Sequence, residues 1–281
     1  MIAAFVILLR EGVEASMIVA ILLAYLNRTG HRQHFRDIFA GVGAALGLAV
    51  AGGLAAFLTI RTYAGSTAQT IFETVTYLVA AAVLTYMTFW MRNHAPSLSG
   101  ELRSRMEAAL DRRTRTGLGL LAFQAVGREG LETVVFTLAI AFSTSARHVL
   151  AGGAAGLAVA LAIAVVIYRL GHRLRLQRFF KVVGVLLMVF AAGLLVDAVQ
   201  NMQQLGWIPW MRHPLWDTGR WLSENSAFGD VLHSFFGYAA RPSILQVAIY
   251  ALYVTAVVGL FLARPRSVAL RAARNRTSPA R

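Results

Sequence analysis

The chain has 281 residues, of which 57% are hydrophobic and 14% charged, and it contains no cysteine. That excludes an ordinary soluble domain, in which about a quarter of residues are charged, and it excludes disulfides, thiolate metal sites and thiol nucleophiles. The formal net charge of +14 does not point to nucleic acid, because nearly all the basic residues flank apolar segments, as topology determinants do.

Apolar runs of about 20 residues, enough for a helix to cross a bilayer core of roughly 30 Å, recur along the chain. They predict an all-α integral membrane protein with seven transmembrane helices. The first covers about 2–26. It has no basic leader and no clear cleavage site, so it is expected to stay as a helix. Within it, ILLREGVEAS (Ile7–Ser16) places Arg10, Glu11 and Glu14 in apolar surroundings. The second helix, 37–60, contains GAALGLAVA (Gly43–Ala51), and the third, 71–91, opens with IFETVTYLVAA (Ile71–Ala81). A linker at 92–116 follows, of which 98–115 reads as a surface helix with mixed charges. The fourth helix, 117–142, repeats the charged pattern in VGREGLETVV (Val126–Val135), with Arg128, Glu129 and Glu132. The fifth, 147–169, contains GGAAGLAVA (Gly152–Ala160), and the sixth, 179–200, opens with FFKVVGVLLMV (Phe179–Val189). The stretch 201–242 holds Trp207, Trp210, Trp216 and Trp221 and is expected to lie at the membrane interface. The seventh helix is 243–263. The tail, 264–281, is basic and expected to be unstructured.

Charge then orients the helices. One set of connections, with the tail, carries 20 basic residues and the opposite set five. Basic residues stay cytoplasmic, so the N-terminus is expected outside and the C-terminus inside. Helices 1 and 4 then enter from opposite sides with the same Arg-Glu-Gly-x-Glu motif. Together with the weaker likeness of helices 2 and 5 and of 3 and 6, this predicts a 3+3 inverted-topology repeat plus a seventh helix, a common transporter plan. The expected layout is one transmembrane domain, 1–263: repeat one 1–91, cytoplasmic linker 92–116, repeat two 117–200, external segment 201–242, and helix seven.

On a helix each residue turns by 100°. Arg10, Glu11 and Glu14 therefore share one face, as do Arg128, Glu129 and Glu132. Glu11 lies ~14 Å from one helix start and Glu129 ~18 Å from the other at 1.5 Å per residue, so both motifs approach the midplane. A charge there costs ~2.5–3.5 kcal/mol even on the lenient insertion scale, and six such groups must face the interior. An ion pair locking helices together accounts for one Arg and one Glu per motif and leaves a surplus carboxylate on each. Four Glu and two Arg sum to −2 when ionised, which a cation would compensate, and carboxylate oxygens are hard ligands. Glu11, Glu14, Glu129 and Glu132 are therefore the candidate metal ligands. Arg10 and Arg128 support them, and Gly12 and Gly130 are placed to let helices 1 and 4 approach. Glu73, with Asp230 and His233 (i,i+3 if helical), are candidates for an outer entrance. Gly43, Gly47, Gly152 and Gly156 are expected to serve packing, Asp197 to be a solvated helix end, and Lys181 to be a topology anchor.

The doubled motif, with LTYMTFWMR (Leu84–Arg92), FFKVVGVLLMVFAAGL (Phe179–Leu194) and FGDVLHSFFGYAARPS (Phe228–Ser243), resembles the oxidase-dependent iron permeases, most of all their bacterial EfeU-type branch. The resemblance covers nearly the whole chain. It implies a multi-pass protein of the cytoplasmic (inner) membrane that imports iron as its substrate, with the motif glutamates as iron ligands and no cofactor. It also implies partners that deliver or oxidise iron, in bacteria a periplasmic iron-binding protein and a haem peroxidase. Transport of another divalent cation is the alternative. An intramembrane metalloenzyme is a weaker one, because His-Glu-x-x-His and a nucleophile context are missing and helix interiors lack histidine. A seven-helix sensor lacks a lysine in helix 7 for a Schiff base.

Overall fold

The computed structural model describes residues 1–94, 98–111, 115–170, 176–223 and 226–263. The basic tail lies outside them. All seven expected segments are helical: α1 (Ile2–Arg28), α2 (Phe35–Arg61), α3 (Thr67–His94), α5 (Arg115–Ser143), α6 (Ala146–Leu170), α7 (Leu176–Gln204), and α9 (Ile244–Tyr253) continuing through a π turn into α10 (Gly259–Leu262). Between α3 and α5 lies α4 (Leu98–Asp111), and before α9 lies α8 (Ala227–Phe236). In lipid the backbone must satisfy its own hydrogen bonds, and long helices are the result.

Among the described residues, five segments have both the length and the apolar composition to cross a membrane: Arg32–Arg61, Thr67–Arg92, Ala146–Val166, Phe179–Gln204 and Ile244–Leu262. The chain is thus an all-helical, multi-pass membrane protein. At 27 and 29 residues, α1 and α5 are as long, but each carries its Arg-Glu motif within the span.

Lipid-facing apolar side chains lie along α2 (Leu46, Val50, Leu54) and α6 (Leu150, Leu157, Leu161), all well exposed on the bundle surface. By contrast α7 runs through the centre, with Leu187, Phe190, Ala191 and Leu194 buried. The main helix pairings are α1 with α6, α2 with α5, and α3 with α7, and α1 also meets α5. Small residues let the paired backbones touch. A Cβ on Gly156 of α6 would stand 2.4 Å from the Phe5 carbonyl oxygen of α1, and one on Gly41 of α2 would stand 2.1 Å from that of Gly119 in α5. The packing role expected for Gly152 and Gly156 is therefore found, but Gly43 and Gly47 face open space. Gly41 takes their place.

Two further expectations are corrected. α4 is more than a surface linker. Its Leu102 and Met106 are buried against α1 and α5 with Leu22, Leu26 and Leu118, and Tyr25 donates to Glu107 at 3.2 Å. Asp197 is not a solvated helix end. It is 8% exposed and accepts a 3.1 Å hydrogen bond from Ser143 Oγ. Lys181 is exposed, as a topology anchor should be.

Between the end of α7 and residue 242, the described residues hold one regular helix, α8. Ser226 caps its start, and Gly237, at φ 66°, ends it. That left-handed glycine lies against Gly193 of α7, where a Cβ would come within 2.5 Å of the Gly193 Cα. The contact seats Phe235 in the core, stacked on Phe190 at 6.2 Å. All four tryptophans are exposed, as interfacial anchors would be. Arg92 of α3 donates to the Phe261 and Ala263 carbonyls at the end of α10, where a cation also suits the helix dipole.

Candidate metal centre

The two motifs meet at the α1–α5 contact. On α1, the guanidinium of Arg10 reaches both acids of its own motif, Glu11 at 3.1 Å and Glu14 at 2.9 Å. All three side chains are buried. On α5, Arg128 pairs with Glu132 at 2.9 Å, and Glu129 is left to face α1. One carboxylate oxygen each from Glu11, Glu14 and Glu129 lies within 4.8 Å of the others. Glu132 stands outside this group, drawn off by Arg128. The second oxygens of Glu11, Glu129 and Glu132 are buried without a hydrogen-bond partner.

Uncompensated buried acceptors are costly, and a cluster of three carboxylates around a single guanidinium does not neutralise itself. Hard oxygen donors converging at this spacing are what a divalent cation needs. A buried ion pair is in any case weak as a stabilising device, because desolvation offsets the attraction.

The surroundings differ on the two sides of the cluster. Toward the Met1 end, Ile7, Phe136, Ile140, Leu187 and Phe190 form a packed apolar block, each at most 1% exposed. Toward α4 there is a cavity of about 670 Å³. Glu14 and Glu129, both buried, line it together with Arg128 and with Glu101 and Arg105 of α4. A second cavity, of about 840 Å³, lies at the Met1 end. Its charged lining is Arg212, Arg220 and Arg241 against Asp217, and that balance repels cations. Arg241 holds Asp217 at 2.8 Å and keeps its carboxyl below the usual range.

Gly12 and Gly130 do not serve the α1–α5 approach. A Cβ on Gly12 would meet Ala160 of α6 at 2.7 Å, and one on Gly130 would meet Ala49 of α2 at 3.0 Å. The glycines face away from the opposite motif because the glutamates occupy the facing side. Among the outer candidates, Glu73 is half-buried and accepts from Gln69 Nε2 at 2.7 Å. His233 Nδ1 contacts the Tyr238 carbonyl at 2.8 Å, closing the end of α8. The side chain of Asp230 lies outside the described residues. Sequence reasoning missed Trp90, whose ring lies 4.6 Å from the Arg128 guanidinium carbon. An aromatic in an apolar helix carries no signal of its own.

The model of the iron permease FTR1 family matches residues 1–274. The chain is 34% identical over 271 residues to the ferrous iron permease EfeU of Yersinia pestis, an alignment covering 96% of each protein. It is 34% identical over 267 residues to the ferrous iron permease EfeU of Yersinia pseudotuberculosis, covering 94% of this chain and 93% of the relative. The ferrous iron permease EfeU of Escherichia coli O6:K15:H31 is 33% identical over 270 residues, or 95% and 97% of the two chains. No solved structure matches. These relatives are transporters by name, not enzymes, and both motif helices fall within the matched length: the chain belongs to the iron permease FTR1 family.

Proposed function

We propose that the protein imports iron across the cytoplasmic membrane through a midplane site built from Glu11, Glu14, Glu129 and Glu132. The observation that carries this reading is the buried convergence of Glu11, Glu14 and Glu129 from two helices, with acceptor oxygens to spare. Glu132 contributes by engaging Arg128. The cluster with Arg10 carries −2 when ionised, which a ferrous ion neutralises, and the relatives are named for ferrous iron. A periplasmic iron-binding protein and a haem peroxidase are the proposed partners. Iron is cargo in this reading and no cofactor is required.

The same reading holds seven spans, with the Met1 end outside and the α4 end in the cytoplasm, in the layout of two repeats and a seventh helix. Support for the inverted repeat comes from equivalent close contacts. Gly12 approaches Ala160 as Gly130 approaches Ala49, and Gly152 approaches Met1 as Gly41 approaches Gly119. These pairs relate α2 to α6 with Gly41 opposite Gly152, two residues from the match that sequence similarity gives. The absence of native cysteine makes the orientation easy to test. Cysteine at Ala64 reacts with an impermeant maleimide added to intact spheroplasts, and cysteine at Ser104 reacts only after lysis. The reverse pattern overturns the orientation.

The function itself is tested in proteoliposomes loaded with an iron chelator. Ferrous iron is taken up, and manganese and zinc compete weakly. Equal uptake of all three ions favours a general divalent-cation carrier, and no uptake of any rejects the reading.

A further inference from the structure

The two motifs share one sequence pattern, yet their arginines behave differently. Arg10 is 3% exposed and grips both acids of its motif. Arg128 grips only Glu132, keeps 42% of its side chain exposed, and lies over the indole of Trp90 on α3. Were Arg128 to copy Arg10, it would also take Glu129, the neighbouring residue. Instead Glu129 keeps a free buried oxygen and joins the α1 acids.

The geometry points to Trp90 as a positioning residue that holds Arg128 off Glu129 and thereby sets how tightly the carboxylate cluster grips a divalent cation. Both Trp90 and Arg128 line the cavity that leads from the cluster to α4. The guanidinium over the ring therefore stands on the proposed route by which the ion leaves. An indole is the strongest of the aromatic partners for a cation, and a planar guanidinium can lie flat on it. When Arg128 leaves the ring and turns to Glu129, it gives up Glu132 and brings one positive charge against the two of a divalent cation, so the cluster's hold weakens and the ion is released into the cavity. The other charged groups that line this space are Glu14 and Glu129 from the motifs and Glu101 and Arg105 from α4, the last two already paired with each other at 2.6 Å, and Glu132 faces Arg128 as its partner. The inference rests on the transport reading above.

The test compares Trp90→Met, which fills the space without a ring, with Trp90→Phe, which keeps a ring face. Two quantities are read on the full-length protein under anaerobic conditions: the Kd for ferrous iron by equilibrium dialysis, and KM and maximal rate in proteoliposomes. Loss of a cation–π contact predicts that Trp90→Met raises Kd and KM about three- to thirtyfold with the maximal rate retained. Trp90→Phe stays within about threefold of the parent. Arg128→Lys keeps the charge but loses the flat stack, so it shifts Kd in the same direction, and Trp90→Met adds nothing further to it. This second route decides the matter if Trp90→Met fails to accumulate. Unchanged Kd and KM in a folded Trp90→Met protein, or a double variant whose losses add in full, overturns the proposal. The site itself is tested separately: a parent protein that binds no ferrous iron, or Glu129→Gln with an unaltered Kd, rejects the carboxylate site whatever Trp90 does.

Discussion

Glu129→Gln abolishes iron uptake while the protein remains in the membrane at normal abundance, and Glu11→Gln and Glu14→Gln do the same. Each change keeps the shape of the side chain and removes one negative charge from a buried cluster. An amide oxygen is a poorer ligand for a hard cation, and in Glu11→Gln and Glu14→Gln Arg10 also loses one of the two acids it pairs with now. Losing an outer-shell partner of a metal site costs roughly 10- to 100-fold in affinity, and loss of a direct ligand exceeds that. Glu132→Gln behaves differently, because Glu132 lies outside the group of three and is bonded to Arg128 at 2.9 Å. It acts by releasing Arg128, and its loss stays within the roughly 10- to 100-fold range of a supporting residue. Radioactive iron uptake, normalised to protein in the membrane, ranks the four variants. If Glu129→Gln transports normally, the acids are only a structural lock.

Gly156→Leu and Gly41→Leu remove folded protein altogether. At both positions a Cβ would run into a backbone carbonyl of the facing helix, at 2.4 and 2.1 Å. Backbone cannot swing aside as a side-chain tip can, so the helices must separate along their whole contact. Overpacking a core costs about 1–3 kcal/mol and occasionally more, and here every small-residue contact along the helix pair is lost with it. Gly43→Leu and Gly47→Leu are the controls, since both positions face open space and leucine is at home in lipid. Yield of monodisperse protein after detergent extraction separates the two groups. Good yield from Gly41→Leu removes the close approach of α2 and α5 from the fold.

The positions of the helices and of the charged cluster were legible because both depend on contrast. Apolar runs stand out against basic connections, and three ionisable residues stand out in an apolar helix. The 100° rotation per residue was enough to put Arg10, Glu11 and Glu14 on one face. What was illegible depends on contrast that a membrane protein lacks. The lipid side and the protein side of α2 are both apolar, so nothing in the sequence separates Gly41, which touches α5, from Gly43, which touches nothing. The separation of Glu132 from the other acids was hidden for another reason. It depends on which way Arg128 turns, and Arg128 lies against Trp90 from a different helix.

The glycine contacts divide the centre of the molecule into two stiff bodies, α1 with α6 and α2 with α5. Arg10, Glu11 and Glu14 ride on one body, Glu129 and Glu132 on the other. The seam between the bodies therefore runs through the acids themselves. In the proposed transport reading, like charges across the seam push the bodies apart when no ion is held, and an ion draws the same oxygens to a common centre and fastens them. The proposed cargo would then be a clasp on the very joint whose opening lets it pass, and movement of that joint would answer to occupancy without any separate sensor.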